Sequence, residues 1–368
     1  MASGAAQKHS RRDWASLTDG PAGLIAERVL SNDYVDFLRF RAVCAAWRAC
    51  CAGLCARGAL DKRFHPRRWV MLPHAASDKD IHGERRFLNV ATGELIHVGV
   101  PDLRRCHLLG RTAEGFLVLC RRDTLVVQLC NPLTAQIANL PCAASLLDDK
   151  GSMPERKLMN LVLRGAGVAG DSTVALHVDS SSLAVAKPGD LLWTNLKLQH
   201  KIGSVVPFAG QIYLATSRNI SVLETVANQP PRLAVAAGGT GLYSPRRMSL
   251  VDNDGELILS CSACSADEHS TRIRRKNYLC RVRLDTRNTV PAGGLNGRAL
   301  FTGATRSLVV AAGVSPSVTA DTVYVCKMDE RTTILRQVVA VDLLGGSVEV
   351  KFDKEDTAYY LACYVCCS

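Results

Sequence analysis

From Trp69 onward the chain is a long succession of short apolar or alternating runs, each cut off by Gly, Pro, Asn or Asp. This patterning restricts the fold more than any other feature. The runs fall at 116–120, 125–130, 173–178, 212–215, 220–224, 256–260, 278–284, 307–311, 322–326 and 337–343. Alternation with a period of two places one face of a strand in a core and the other in water, the pattern of an antiparallel β domain. Turn signals such as Asn253-Asp254-Gly255 and Gly345-Gly346 separate the runs. About 300 residues of this kind correspond to six or seven propeller blades of roughly 40 to 45 residues each. Closure is expected from pairing of the strand at 69–72 with the apolar run 359–365 in one blade, which would remove an exposed sheet edge.

Residues 14–54 read differently. Pro21, behind Asp19 and Gly20, suits the first turn of a helix, and Leu24, Ile25, Val29 and Leu30 then fall on one side. Ser31, Asn32 and Asp33 end that helix and cap a second, in which Tyr34, Phe37, Leu38 and Arg41 recur at helical spacing. A third carries Val43, Cys44, Trp47, Cys51 and Leu54. Three helices of this size bury little surface among themselves, which points to a docking module. The expected organisation is α+β and multidomain: a disordered tail at 1–13, a three-helix module at 14–54, a linker at 55–68, and a large all-β domain at 69–368.

Composition narrows the function. The polar, basic N-terminus (Lys8, Arg11, Arg12) lacks the apolar run of a signal peptide, and no stretch reaches the roughly 18 apolar residues of a membrane span. The expectation is a soluble protein of the cytoplasm, the nucleus or both. Fifteen cysteines diluted over 368 residues fit reduced thiols better than a disulfide scaffold. Cys261 with Cys264, and Cys363 with Cys366 and Cys367, have zinc-like spacing, but the groups lie too far apart for a finger, so no metal or cofactor is expected. The net charge of +11 is scattered, and its densest runs (Lys62, Arg63, Arg67, Arg68; Arg272, Arg274, Arg275, Lys276) lack interleaved aromatics and read as solvated loops. Nucleic acid is therefore disfavoured as a partner. A basic propeller scaffold binding nucleic acid or an acidic protein is the alternative reading.

An enzyme finds little support. Gly165-Ala-Gly-Val-Ala-Gly170 matches the dinucleotide-binding spacing, but the β-branched residues after it call for a glycine-rich hairpin instead of the helix that motif must open. The nine histidines are dispersed, and no nucleophile-elbow, P-loop or zincin motif is present.

The segments Trp14-Ala-Ser-Leu17, Leu24-Ile-Ala-Glu-Arg-Val-Leu30 and Phe37-Leu-Arg-Phe-Arg-Ala-Val-Cys-Ala-Ala-Trp-Arg48 together resemble the F-box, in the version found in plant proteins. The resemblance implies that Leu17, Leu24, Ile25, Val29, Leu30, Phe37, Leu38, Val43, Cys44 and Trp47 bind a Skp-type adaptor, and through it a cullin-RING ubiquitin ligase. Many F-boxes place Pro directly after the first Leu; here Thr18 follows Leu17 and the proline comes at 21. The remainder is similar to the kelch-like or propeller-like domain of unknown function that follows the F-box in a large plant family. Leu129-Cys-Asn-Pro-Leu-Thr134, Gly189-Asp-Leu-Leu-Trp-Thr194, Val205-Val-Pro-Phe-Ala-Gly-Gln-Ile-Tyr213, Asp254-Gly-Glu-Leu257 and Gly297-Arg-Ala-Leu-Phe-Thr-Gly303 carry that similarity. It implies a non-catalytic substrate-recognition subunit whose β domain holds a target protein, with recognition sought near Arg246-Arg247 and Arg272 to Lys276.

Overall fold

The computed structural model describes residues 17, 19–54, 57–73, 84–100, 103–146, 161, 163–226, 229–239, 247–267, 270–303, 306–328, 335–342, 347–354 and 356–366. The tail 1–13, Trp14, Thr18, Arg246, Cys367 and the turn Gly345-Gly346 lie outside them, as do the side chains of Cys264 and of Arg272 to Lys276. The chain forms two compact units, residues 1–65 and 66–368.

The first unit holds three helices, α1 (Asp19–Asn32), α2 (Tyr34–Ala42) and α3 (Ala45–Cys50). The second is a six-bladed β-propeller. Blade 1 contains β1 (Trp69–Met71), β2 (Glu84–Asn89) and β3 (Leu95–Gly99). Blade 2 contains β4 (Cys106–Arg111), β5 (Leu117–Arg121), β6 (Val126–Cys130) and β7 (Ile137–Cys142). Blade 3 runs through β8 (Gly165–Val168), β9 (Val174–His177), β10 (Ser182–Ala186) and β11 (Thr194–Lys197). In blade 4 come β12 (Ile202–Phe208), β13 (Gln211–Thr216), β14 (Asn219–Glu224) and β15 (Arg232–Gly238). Blade 5 has β16 (Arg247–Asp252), β17 (Leu257–Asp267), β18 (Ser270–Arg283) and β19 (Asn288–Pro291). Blade 6 comprises β20 (Arg298–Thr302), β21 (Ser307–Ala311), β22 (Thr322–Met328), β23 (Leu335–Asp342) and β24 (Ser347–Val350), followed by the helix α4 (Thr357–Cys366).

Blades 2 to 5 are four-stranded antiparallel meanders. Blade 6 departs from them: its order is β21-β20-β22-β23-β24, with β20 and β22 parallel. Each blade packs its apolar faces on its neighbours, as in the cluster of Val206, Tyr213, Ala215 and Ile220 with Leu250, Leu257, Leu259 and Val282 between blades 4 and 5. Polar ties cross the same seams. The hydroxyl of Ser204 accepts from the Leu250 amide at 2.7 Å, and the indole N–H of Trp193 donates to the Pro141 carbonyl at 3.1 Å.

The glycines at 165 to 170 enter a hairpin, β8 to β9, as their sequence context requires. Packing explains one of them: a Cβ on Gly167 would lie 2.9 Å from Pro207 Cδ in blade 4. The basic run 272–276 corrects a sequence expectation, because it belongs to the backbone ladder of β18 with β17 and not to a loop.

Closure corrects another. The run 359–365 is helical, and among the described residues β1 pairs only with β2. β8 packs against β4 and β12, β12 against β16, and β16 against β21, so these strands form the inner ring. β1 has no place in it. The Trp69 carbonyl lies beside Gly115 in the β4–β5 turn, so β1 starts where β4 ends and runs opposite to it, as a second strand does. Among the described residues blade 1 thus has no inner strand, and α4 stands between the end of β4 and the start of β21. Its Tyr364 ring lies 5.7 Å from the Arg111 guanidinium at the end of β4 and 5.6 Å from that of Arg306, just before β21. Arg86 of β2 sits 4.9 Å over Tyr360. Beneath these contacts Ala358, Leu361, Ala362 and Val365 are buried with Val70, Leu72, Leu88, Phe301, Val310 and Tyr324. Asp356 opens the helix, accepting from the Ala358 amide at 2.9 Å, from the Ser315 hydroxyl at 2.6 Å, and from the Ser317 hydroxyl.

No helix among the described residues is long and apolar enough to cross a membrane, and no group of three or more His, Cys, Asp or Glu among them could hold a metal ion.

Candidate partner-docking face

The helical unit is assembled by local capping and a small aromatic core. Asp33, with extended backbone, accepts from the amides of Val35 at 2.8 Å and Asp36 at 3.2 Å, satisfying two of the donors that the start of α2 leaves open. Cys44 does the same for α3, its sulfur accepting from the Trp47 amide at 3.4 Å. Ala26, Leu30, Phe37, Phe40, Cys51 and Phe64 are buried together. Tyr34 lies edge-on to Phe64 at 5.5 Å, and Trp47 stacks on Phe40 at 4.4 Å. Arg41 lays its guanidinium 5.8 Å over Phe37. The Arg63 side chain, hydrogen-bonded to Asp61, holds that carboxyl at about 2 and fixes the turn that delivers Phe64. Burial and the neighbouring Cys50 push the Cys51 thiol up to about 11, which leaves it protonated and unreactive.

The ten residues singled out from the sequence divide into three groups. Leu24 is 70% exposed, Val43 62%, Leu38 41% and Ile25 40%. Leu17, Val29, Cys44 and Trp47 are half-buried. Leu30 and Phe37 belong to the core. α1 therefore turns Ala22, Ala26 and Leu30 inward and Leu24 and Ile25 outward, which corrects the expectation that Leu24, Ile25, Val29 and Leu30 share one side. Four of the eleven large apolar side chains found exposed lie in this small unit, a density that an isolated surface has no reason to maintain. Sequence reasoning missed Phe64, assigned to a linker, and the alanines of α1. Their signal was the spacing of Ala22, Ala26 and Leu30 at four-residue intervals.

The sequence profile of the KIB1-4 β-propeller matches residues 87–356. The chain belongs to the KIB1-4 β-propeller family. That match covers β2 to the threshold of α4 in this KIB1-4 propeller, and the helical unit lies outside it. No curated protein matches the chain significantly. Among solved structures, virginiamycin B lyase from Staphylococcus aureus is 12% identical with a TM-score of 0.29, covering 68% of this chain and 71% of its own. The Cps50 (Swd1) β-propeller domain from Myceliophteria thermophila is 10% identical with a TM-score of 0.32, covering 75% and 82%. Both superpose too loosely on the KIB1-4 propeller to carry any statement about what it binds.

Proposed function

We propose that the chain is a non-catalytic substrate-recognition subunit of a Skp-cullin-F-box ubiquitin ligase, working in the cytoplasm or nucleus. The helical unit is the F-box and docks a Skp-type adaptor. The propeller holds a target protein, so that ubiquitin transfer by the separate RING-bound enzyme gains from effective concentration. The observation that carries this reading is the outward placement of Leu24, Ile25, Leu38 and Val43 over a core that Trp47 and Phe40 complete. An apolar patch next to a half-buried tryptophan has the composition of an interface hot spot. Resemblance of the same residues to the F-box supports the choice of partner.

Co-purification of the full chain with a purified Skp-type adaptor tests the proposal. The double variant Leu24→Asp, Val43→Asp changes two exposed positions and should leave the fold intact while costing binding on the order of a few kcal/mol. Retention of the adaptor by that variant, or failure of the folded wild-type chain to bind, would remove the reading.

A further inference from the structure

β20 and β22 turn one face toward α4, and that face ends in a thiol. Their parallel register sets Phe301 beside Tyr324, with rings stacked at 4.6 Å, and Thr302 beside Val325. By the two-residue period of a strand, Gly303 and Cys326 follow on the side of Phe301 and Tyr324. Position 303 has no side chain, and the helix seats there: a Cβ on Gly303 would lie 3.0 Å from the Cys366 amide nitrogen. Cys366 is the last residue of α4, and its side chain is buried in the same core as Cys326. The two thiols are hydrogen-bonded to each other. Cys363, one turn earlier in the helix, is a half-buried neighbour of the pair.

The two thiols are not equivalent. Cys326 is wholly enclosed and donates to the Tyr324 carbonyl at 3.5 Å. Burial, followed by the bond with Cys366, pushes this thiol well above its usual range, so it rests protonated. Cys366 keeps 8% of its surface and sits in the final turn of a helix, where fraying opens it to small solutes. Neither adaptor docking nor target recognition uses either sulfur.

We propose that Cys326 and Cys366 form a reversible disulfide when the chain meets a hydroperoxide, and that this bond fastens α4 to blade 6. The Cys366 sulfur attacks a peroxide oxygen, the O–O bond breaks, and a sulfenic acid and one water result from hydrogen peroxide. The Cys326 sulfur then attacks the sulfenic sulfur. An S–S bond forms, the S–O bond breaks, and the hydroxyl departs with the Cys326 proton as a second water. Two thiols are oxidised and one peroxide is reduced. Sulfurs already in hydrogen-bond contact need approach by only about 2 Å to reach bonding distance. Small-molecule thiols restore the pair by exchange, which makes the bond a sensor of oxidant and not a permanent staple. This chemistry belongs to the propeller alone and is independent of adaptor docking by the helical unit.

The test uses the full chain, exposed to hydrogen peroxide and then to a thiol-blocking reagent, with the monomer band of a non-reducing gel digested by trypsin. Cleavage after Arg306, Lys327 and Lys354 separates 307–327, which holds Cys326 alone, from 355–368, which holds Cys363, Cys366 and Cys367. The expected product joins these two peptides, with fragmentation placing the bond at Cys366, and dithiothreitol releases them. Oxidation should slow amide exchange in residues 358–366 roughly tenfold and raise the thermal midpoint by roughly 5 °C. Both effects should vanish in Cys366→Ala and persist in Cys363→Ala, each first shown by circular dichroism to be folded. The cross-link itself is read on the wild-type chain and needs no replacement of the enclosed Cys326. Absence of the cross-link in folded protein, its placement at Cys363 or Cys367, or its confinement to a dimer band would overturn the proposal. A cross-link that leaves exchange in residues 358–366 unchanged would overturn the fastening of α4.

Discussion

His177 in β9 and Glu114 in the β4–β5 turn are both sealed inside the propeller, and burial moves them in opposite senses. Desolvation, with the charge of Arg164 nearby, holds the His177 imidazole down at about 4 from an ordinary 6.5. Between those values the unfolded chain takes up a proton that the folded chain refuses, so stability falls as pH drops from 6.5 to 4. Desolvation also raises the Glu114 carboxyl from 4.5 to about 7, against the opposing hydrogen bond from the Val168 amide at 2.8 Å. Here the unfolded chain loses a proton that the folded chain keeps, and stability falls as pH rises from 4.5 to 7. Each shift corresponds to about 3 kcal/mol when its window has been crossed. The two windows overlap with opposite slopes, so wild-type urea midpoints should be nearly level between pH 4.5 and 6.5; Glu114→Gln, which keeps an oxygen for Val168, should unmask a rise with pH from 4 to 6.5, and His177→Leu a fall with pH from 4.5 to 7. Slopes unchanged by either substitution would mean that water reaches both groups. Neither residue could be picked out beforehand: His177 stood in an alternating run with nothing to mark it as enclosed, and Glu114 occupied what reads as an ordinary polar turn.

Among the elements, α4 is where composition misled. The run Tyr-Tyr-Leu-Ala-Cys-Tyr-Val is rich in residues that favour strands, and the sequence offers no ladder partner count to decide otherwise. What makes it helical is context: Asp356 caps its start, and the position between the end of β4 and the start of β21 accepts a cylinder with one wholly apolar side. Asp356→Ala removes the cap and should cost about 1 to 2 kcal/mol, seen as faster hydrogen exchange in residues 358–366. Gly303→Ala is expected to be worse. A Cβ there would collide with the Val365 carbonyl, so the helix must lift from blade 6, at a cost of about 3 kcal/mol in the thermal unfolding of the propeller. A wild-type thermal midpoint in Gly303→Ala would show that α4 is not seated on that backbone. α1 misled in a simpler way. Its four large apolar side chains were expected to share one side, whereas the helix packs closely through Ala22, Ala26 and Leu30 and leaves Leu24 and Ile25 for contact elsewhere. The strands of blades 2 to 5 were far easier to read, because period-two alternation and a turn residue at each end are local properties.

At the scale of the whole molecule the number of blades followed from arithmetic on the β-rich length, and six lies within the expected pair of values. The mode of closure did not follow, since no local pattern announces that a helix will stand between β4 and β21. Removing residues 357–368 should expose the core of Val70, Leu88, Phe301 and Tyr324 and unblock the gap between β4 and β21. Such a truncated chain should bind a hydrophobic dye and elute as aggregate in size-exclusion chromatography; a compact monomer would show that blade 1 closes on blade 6 unaided. The contact between Arg86 and Tyr360 spans 274 positions of sequence. A ring whose last gap is filled by so distant a segment cannot complete its core while that segment is still unmade, however early the middle blades acquire their hairpins. During synthesis the molecule must therefore pass through an open, sticky stage that ends only when the final helix arrives, and its yield in a cell becomes a matter of how well that interval is chaperoned.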